Sequence, residues 1–249
     1  MKLIVHGTGS GGNMYTVEAD DEAILIDCGL SKKKTIREIA PRFKKYQGCL
    51  LSHEHNDHMM SAQTLTEMGI TVYSSAGTAE ALRTDGCLTR LNAVQMLSWF
   101  NVGRFTVLAF ETQHDASQPC GFLIRYDPTG ETLLYATDTY YLRNTFPGIH
   151  YWVVECNYID EVLDSQQSDG ELTEALRNRL KKSHMSLRRL LDVLKANDLT
   201  KTRAIVLIHL SDERSDERAM VKAVKEVTGI EEVTAATAGT TIQLTLNPF

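Results

Sequence analysis

The chain has 249 residues, of which 43% are hydrophobic and 23% are charged, and its formal net charge is −6. This length and apolar content predict one domain with a full hydrophobic core over residues 1–249. The acidic balance argues against indiscriminate binding of nucleic acid, and the lack of any run of about 18 apolar residues argues against a transmembrane helix.

Short runs rich in β-forming residues alternate with turns and predict a series of strands. Several are continuous apolar runs of four to six residues, which is typical of strands covered on both faces. The first run passes into glycines too early for the core of a signal peptide. In chain order the predicted strands are KLIVHG, MYTVEA, AILIDCG, GCLLSH, ITVYS, RFTVLAF, CGFLIRY, TLLYATD, WVVEC, AIVLIHL and TIQLTL.

Two helices are predicted in the second half of the chain. In the first, an apolar stripe follows a Ser186 N-cap and consists of Leu187, Leu190, Leu191 and Leu194. In the second, the stripe lies between Ser215 and the terminating Gly229 and consists of Met220, Val224 and Val227. Strands and helices together predict an α/β fold with two central sheets and helices outside.

The cysteines are five in number and scattered, without a CxxC pair. An odd, dispersed set argues against a disulfide scaffold and favours a reducing cytoplasm. No activating neighbour is evident in sequence, so all are predicted to be small core residues. They are Cys28, Cys49, Cys87, Cys120 and Cys156.

The stretch LLSHEHNDHMM holds three of the eight histidines of the chain within six residues. In an extended segment, His53 and His55 point the same way and can bind one ion from one side. Asp57 and His58 then require a turn that directs them to a second ion. Imidazole and carboxylate together suit zinc, iron or manganese, so the sequence predicts a metal site here.

Ionisable residues also follow apolar strands elsewhere in the chain. His53, Asp138, Glu155 and His209 each come at the carboxyl end of such a run, and His114 comes just after RFTVLAF. Layered α/β proteins build their sites at this end of the strands. Singly each residue has a structural interpretation, but joined to the first cluster they supply ligands for a pair of cations.

HEHNDH, followed in order by His114, Asp138 and His209, resembles the metallo-β-lactamase superfamily, as do the GTGSGGN and ILIDCG segments. The resemblance implies a four-layer αβ/βα sandwich with a binuclear site. It implies that one ion takes His53, His55 and His114, and that Asp138 bridges to the other. The second ion then takes Asp57, His58 and His209. No cysteine lies near a ligand position, which argues against a β-lactamase.

The segments GSGGN, HEHNDH, QHDAS, ATDT, ECN, SHMS and HLS are most similar to the YycJ (WalJ) branch, which is linked to DNA exonuclease activity. Glu155 and His184 also resemble the pair that tRNA-3′-processing nucleases of the superfamily use beside their metals. The resemblance implies that His184 gives a proton to the leaving oxygen while Glu155 orients it. A helix-end pair without a chemical role is the alternative.

The charge distribution favours a phosphodiester substrate. Residues 175–190 contain six basic and no acidic residues, whereas residues 155–174 contain seven acidic and no basic ones. Beside a phosphodiesterase site such a basic run suits backbone phosphates, although a solvated helix face is an equal alternative. The phosphate-binding candidates are Arg177, Arg179, Lys181, Lys182 and Arg188. A second patch is predicted at Lys32, Lys33, Lys34 and Arg37.

The leading hypothesis is a binuclear metal-dependent phosphodiesterase, a nuclease acting on DNA, in which Asp57, Glu155 and His184 act catalytically. The rival is a thioesterase or lactonase of the glyoxalase-II kind on the same two ions, and a non-enzymatic relative is a third reading. Zinc, manganese and iron remain open, as do DNA against RNA, endo- against exonuclease action, and oligomeric state. Tyr140 and Tyr141 are candidates for base stacking or for packing, whereas His6 and His150 are expected to be structural.

Overall fold

The computed structural model of the chain describes residues 1–85 and 89–245. These residues form two compact units. The first comprises Met1–Glu111, Ala116–Thr132 and the stretch from Thr237, and the second comprises Thr112–Asp115 and Leu133–Ala236. The prediction of one domain over residues 1–249 stays a prediction.

The regular elements alternate along the chain as an α/β protein requires. The strands are β1 Lys2–Gly7, β2 Met14–Ala19, β3 Glu22–Ile26, β4 Tyr46–Leu50, β5 Val72–Ser75, β6 Leu91–Val94, β7 Trp99–Val102, β8 Phe105–Glu111, β9 Cys120–Tyr126, β10 Glu131–Ala136, β11 Tyr151–Glu155, β12 Ala204–Ile208, β13 Val233–Ala235 and β14 Thr241–Gln243. The helices are α1 Lys32–Ile39, α2 Asn56–Met59, α3 Ala62–Glu67, α4 Ala76–Asp85, α5 Asp160–Ser168, α6 Glu174–Ser183, α7 Leu187–Lys195 and α8 Glu217–Thr228, with a 3₁₀ helix over Ala40–Lys45. No helix of residues 1–85 and 89–245 is long and apolar enough to cross a membrane.

The first unit contains a seven-stranded sheet in the order β14-β1-β2-β3-β4-β5-β6. Strands β1, β2 and β3 pair antiparallel, and β3 to β6 pair parallel. The carboxyl ends of β3 and β4 therefore lie at the same edge, where Asp27 and the His53 segment follow them. The unit also contains β7, β8 and β9, which pair as an antiparallel meander.

The second unit contains parallel pairs from β10 through β11 and β12 to β13. Ala136 lies opposite Val154, and Glu155 lies opposite Ile208. This register brings the chain segments carrying Asp138, Glu155 and His209 to one edge of the sheet. Continuous burial of β11 and β12 explains why their sequences are apolar apart from Glu155, the last residue of β11.

A helical hairpin formed by α5 and α6 is inserted between β11 and α7. It has a small core of its own, made of Tyr158, Leu163, Leu172 and Leu180. The acidic run of the sequence extends from the end of β11 through α5 to the start of α6, and the basic run lies on α6 and α7. The insertion begins directly after Glu155 and ends at His184, so both ends of the hairpin reach the predicted site.

Each predicted strand coincides with an observed one, although the polar end residues of several runs lie beyond the strand. The α7 prediction is confirmed, with Ser186 Oγ accepting from the Arg189 backbone N–H at 3.4 Å. For α8 the observed N-cap is Asp216, directly after Ser215, and Gly229 ends the helix with a φ of 70°. A left-handed residue at this position favours glycine because it has no Cβ.

The sequence predictions did not include strands β6, β7 and β13, each of three or four residues, or helices α1 to α6. Four of the predicted core cysteines are buried, as expected: Cys28, Cys49, Cys120 and Cys156. Cys87 lies outside the described residues.

Candidate metal centre

The histidine loop, residues 53–58, follows strand β4 in the first unit. Its backbone is extended up to His55, which is the N-cap of the single-turn helix α2. The turn that the sequence required after His55 is therefore a turn of helix, and it carries Asp57 and His58. His53 and His58 are buried, with exposed fractions of 1% and 0%.

The side chains of the histidine loop converge. The ring centroid of His53 lies 4.8 Å from that of His55 and 4.1 Å from that of His58. Oδ2 of Asp57 lies 3.6 Å from Nε2 of His58. Three imidazoles and one carboxylate at such short range are a donor set that fits a borderline divalent cation.

Asp27, which was not among the predicted site residues, orients this loop. Its fully buried carboxylate accepts hydrogen bonds from His58 Nδ1 at 2.9 Å, Ser52 Oγ at 3.1 Å and the Ser52 backbone N–H at 2.8 Å. With Nδ1–H of His58 donated to Asp27, the lone pair of the ring lies on Nε2, which is 3.1 Å from the Asn13 amide nitrogen. Ligation through Nε2, with Nδ1 held by a carboxylate, is the arrangement usual for metal-bound histidines. The sequence signal was the carboxylate that follows strand β3 in ILIDCG.

Gly29 allows the backbone of the histidine loop to approach the end of β3. A Cβ at Gly29 would overlap the carbonyl group of Asp57. The Cys28 backbone N–H donates to His58 O at 2.7 Å, and the Asn13 N–H donates to Asp57 O at 2.7 Å. The loop is thus clamped by backbone contacts, which limits the positions open to its side chains.

In the second unit, four predicted residues form one group: Asp138, Glu155, His184 and His209. One ligand atom from each lies within 4.8 Å of the others. Nε2 of His209 is 3.3 Å from Oδ1 of Asp138, and Nδ1 of His184 is 2.6 Å from Oε1 of Glu155. The rings of His184 and His209 are stacked, with centroids 5.3 Å apart.

His114 joins this group through Asp138. Its Nδ1 lies 3.2 Å from the Ser183 carbonyl oxygen, to which it donates, and its Nε2 lies 3.8 Å from Oδ2 of Asp138. The pattern repeats that of His58, because Nδ1 is engaged by an acceptor and Nε2 faces a carboxylate. Asp138 therefore has imidazole nitrogens near both of its oxygens.

Glu155 is fully buried and makes several hydrogen bonds. Besides His184, its Oε2 accepts from the backbone N–H of Thr139 at 2.9 Å and of Met185 at 3.3 Å. Burial alone would raise the pKa of Glu155, but His184 and His209 outweigh it and lower this pKa. Burial alone would lower the pKa of His209, but Asp138 and Glu155 raise it. These contacts therefore favour the ionised form of Glu155 and the protonated form of His209.

Asn157 is a second residue that sequence reasoning missed. Its amide nitrogen lies 3.1 Å from Nδ1 of His209 and donates to the His209 carbonyl oxygen at 2.8 Å. The φ of His209 is 56°, in the left-handed region. Asp27 and Asp138 also have left-handed φ values, of 57° and 45°. Non-glycine residues in this region carry strain, and its occurrence at three residues of the candidate centre is typical of functional sites.

His184 lies at the carboxyl end of α6, where it is the C-cap and its N–H bonds to the Leu180 carbonyl oxygen at 2.9 Å. His184 also comes two residues before Ser186, the N-cap of α7. Helix α7 begins only at Leu187. The end of α6, and not the start of α7, therefore sets the position of its ring.

The predicted phosphate-binding residues are unequal in their surroundings. Arg177 and Lys181 both bind Asp164, at 2.6 and 3.2 Å, and Arg188 lies 3.4 Å from Asp160. Arg179 and Lys182 are exposed. Part of the basic run of α6 thus pairs with the acidic run of α5, which joins the two helices of the hairpin.

Other predicted residues have packing or structural contacts. Tyr140 stacks against the Arg189 guanidinium, 5.3 Å from the ring centroid, whereas Tyr141 is exposed. His6 is buried in β1, with Nε2 2.8 Å from Thr16 Oγ1 and Nδ1 3.3 Å from Glu38. The backbone carbonyl of His150 accepts from the Arg203 N–H at 2.8 Å.

Comparisons with known proteins agree with this arrangement. A family model described as Beta-lactamase superfamily domain matches residues 22–210. Exodeoxyribonuclease WalJ of Streptococcus pneumoniae is 26% identical over 251 residues, covering 96% of this chain and 90% of that protein. Exodeoxyribonuclease YycJ of Bacillus anthracis is 28% identical over 173 residues, covering 64% of each.

A solved structure gives the same fold. The metallo-beta-lactamase fold protein YhfI from Bacillus subtilis matches with a TM-score of 0.74 at 20% identity, covering 96% of this chain and 98% of that chain. The predicted fold class and the resemblance to the WalJ branch are confirmed. The histidine and carboxylate groups of the two units supply the donors for divalent metal binding. The chain belongs to the β-lactamase superfamily and is a metal-dependent hydrolase with the metallo-β-lactamase fold.

Proposed function

We infer that this hydrolase is a nuclease that cleaves phosphodiester bonds at DNA ends. The observation that carries the inference is the bond of 2.6 Å between His184 Nδ1 and Glu155 Oε1, made beside Asp138 and His209. When this ring is the imidazolium, Nδ1–H is held by Glu155 and Nε2–H is the proton that it can donate, next to candidate metal ligands. Two relatives named exodeoxyribonucleases support the choice of DNA.

The proposed ligands are those that the family resemblance implies. His53, His55 and His114 would hold one ion, Asp57, His58 and His209 would hold the second, and Asp138 would serve both. The proposal is supported by the convergence of donors within each unit and by the Nδ1 contacts of His58 and His114, which leave Nε2 as the ligand atom. Zinc, manganese and iron all suit imidazole and carboxylate donors.

Two divalent ions at these ligands would bind the scissile phosphate and activate the attacking water. The chain supplies the proton for the leaving oxygen from His184 Nε2. Glu155 keeps the imidazole in the required tautomer and orientation through Nδ1. The buried Glu155 is itself held by two backbone N–H groups, so its position is defined before substrate binds.

The proposed compartment is the cytoplasm. The four described cysteines, Cys28, Cys49, Cys120 and Cys156, are free and buried. Burial raises the pKa of Cys120 and Cys156 well above that of an ordinary thiol, which keeps them protonated and unreactive. Free thiols of this kind suit a reducing compartment.

The test is digestion of end-labelled DNA, single- and double-stranded, with added Mn²⁺ or Zn²⁺. Asp57→Ala serves as the inactive control, because Asp57 is a proposed ligand on an exposed turn. We expect metal-dependent shortening that vanishes in the variant, with the label position giving the polarity. Intact DNA and intact RNA would overturn the nuclease proposal in favour of thioester or lactone hydrolysis on the same ions.

A further inference from the structure

The segment 31–45 is strongly basic, although the protein as a whole is acidic. It contains seven basic residues and one acidic residue, whereas the whole chain has a net charge of −6. The segment forms α1 and the 3₁₀ helix that follows. Its exposed cations, here called the basic surface, are Lys32, Lys33, Lys34, Arg37 and Lys44.

Arg42 and Lys45 of this segment pair with the buried Glu18, whereas the cations of the basic surface are little neutralised within the first unit. Glu38 lies 2.8 Å from Arg37, and Lys32 lies 3.6 Å from Glu67, with both of the latter side chains more than half exposed. Exposed pairs of this kind are weak. Within the part of the chain that the structure describes, Lys33, Lys34 and Lys44 make no ion pair.

Helix α1, which carries four of these cations, is hydrogen-bonded to the segment that follows the histidine loop. Ser61, three residues after His58, donates its hydroxyl to the Leu30 carbonyl oxygen at 2.5 Å and its N–H to Cys28 O at 2.9 Å. Thr35 of α1 donates to Ser61 Oγ at 3.1 Å and to Leu30 O at 3.1 Å. The first turn of α1 is thus attached to the element that carries Asp57 and His58.

The segment also exposes apolar side chains between its cations. Phe43 is 38% exposed and Ile36 is 36% exposed. An aromatic ring among cations is the combination on which single-stranded nucleic acids stack their bases while their phosphates are neutralised. Helix α1 is about 12 Å long, a length over which a nucleic acid strand presents several phosphates.

We propose that the basic surface binds the sugar-phosphate backbone of the DNA strand beyond the bond that is cut. This inference rests on the proposed nuclease function and names where its polymeric substrate is held. The partner is DNA because α1 is hydrogen-bonded through Thr35 to Ser61, three residues after His58, and a strand bound at the histidine loop has flanking phosphates to be neutralised. The cations of α6 are less suited, since Arg177 and Lys181 already share Asp164.

The test compares two triple variants with equal change of charge. The test variant is Lys33→Gln/Lys34→Gln/Lys44→Gln. The matched control is Lys195→Gln/Lys201→Gln/Lys222→Gln, which removes three exposed lysines from the second unit. Binding of a fluorescent single-stranded oligonucleotide with phosphorothioate linkages, which slow cleavage, is measured by anisotropy between about 50 and about 200 mM salt.

We expect the test variant to bind at least ~10-fold more weakly at the lowest salt, and the slope of log Kd against log salt to fall by about 2, the value for three lost phosphate contacts. The control should bind as the wild type does. Equal affinities of test variant and wild type, or an equal loss in the control, would overturn the proposal.

Two further arms separate this inference from its alternatives. Wild-type protein that binds DNA through the basic surface without shortening it would remove the nuclease function and leave the surface assignment standing. Sedimentation with vesicles of equal parts phosphatidylcholine and phosphatidylglycerol tests an anionic membrane as partner. Loss of vesicle binding in the test variant, together with unchanged DNA affinity, would overturn the proposal in favour of a lipid surface.

Discussion

Nδ1 of His184 lies 2.6 Å from Oε1 of Glu155, a carboxylate with no solvent-exposed surface. The two residues are brought together from the end of strand β11 and the end of helix α6, on either side of the α5–α6 hairpin. A histidine oriented through Nδ1 by a buried carboxylate can exchange a proton only through Nε2.

His184→Ala is expected to lower kcat by about 10²- to 10⁴-fold, the range for loss of a general acid, with little change in KM. Glu155→Gln should lower kcat in the same sense, and the double variant should lose less than the product of the two single losses. Steady-state kinetics on DNA, with metal content measured in parallel, provide the test. A kcat for His184→Ala close to wild type would exclude this role.

Asp57→Ala is expected to abolish turnover and to reduce bound metal from about two equivalents to about one, because a ligand of the second ion is lost. The fold should survive, since Asp57 is partly exposed on the turn α2. Thermal unfolding and elemental analysis give the readouts, and the neighbouring exposed Asn56→Ala is the matched control. Loss of folded protein in Asp57→Ala alone would instead indicate a structural residue.

Asp27→Asn is expected to weaken metal binding by about 10- to 100-fold, as is usual when the acceptor behind a ligating histidine is removed. Asparagine tolerates the φ of 57° at this position, so the backbone is not strained by the change. The free energy of unfolding of the metal-free protein should also fall by about 1–3 kcal/mol, because a buried hydrogen-bond network is disturbed. Chelator competition measures the first effect and urea unfolding the second; unchanged metal affinity would contradict the orienting role.

Glu18 is expected to make the stability of the first unit depend on pH. It is buried and lies 2.6 Å from Lys45, 3.2 Å from Lys2 and 3.1 Å from Arg42. Burial alone would raise the pKa of Glu18, but Lys45 and Lys2 lower it below its usual 4.5. A carboxyl with a lowered folded-state pKa stabilises above its unfolded pKa, and this contribution is lost as pH falls through the folded value.

Glu18→Gln should therefore lower the free energy of unfolding by about 1–2 kcal/mol near pH 7. The difference in free energy of unfolding between Glu18→Gln and the wild type should shrink as pH falls below 4.5. Urea unfolding at a series of pH values measures it, with the exposed Glu226→Gln as control. A difference that does not change with pH would mean that packing, and not charge, explains the effect.

The strands and the grouping of several candidate site residues could be predicted from the sequence. The apolar runs predicted the strands because a strand buried on both faces is largely apolar, as β12 is throughout and β11 is up to Glu155. His53, His55, Asp57 and His58 could be grouped because they are neighbours in the chain. Asp138, Glu155 and His209 could be grouped because the carboxyl ends of parallel strands meet at one edge.

Contacts between residues that are far apart in the sequence could be identified only from the tertiary structure. Asp27 meets His58 across 31 residues, and Asn157 meets His209 across 52, so no local pattern shows either hydrogen bond. The same holds for charge. Asp164 neutralises Arg177 and Lys181, whereas Lys33 and Lys34 face solvent, although both runs look equally basic in sequence. Composition and spacing determine which groups are available, but folding decides which of them are paired and which remain exposed to a ligand.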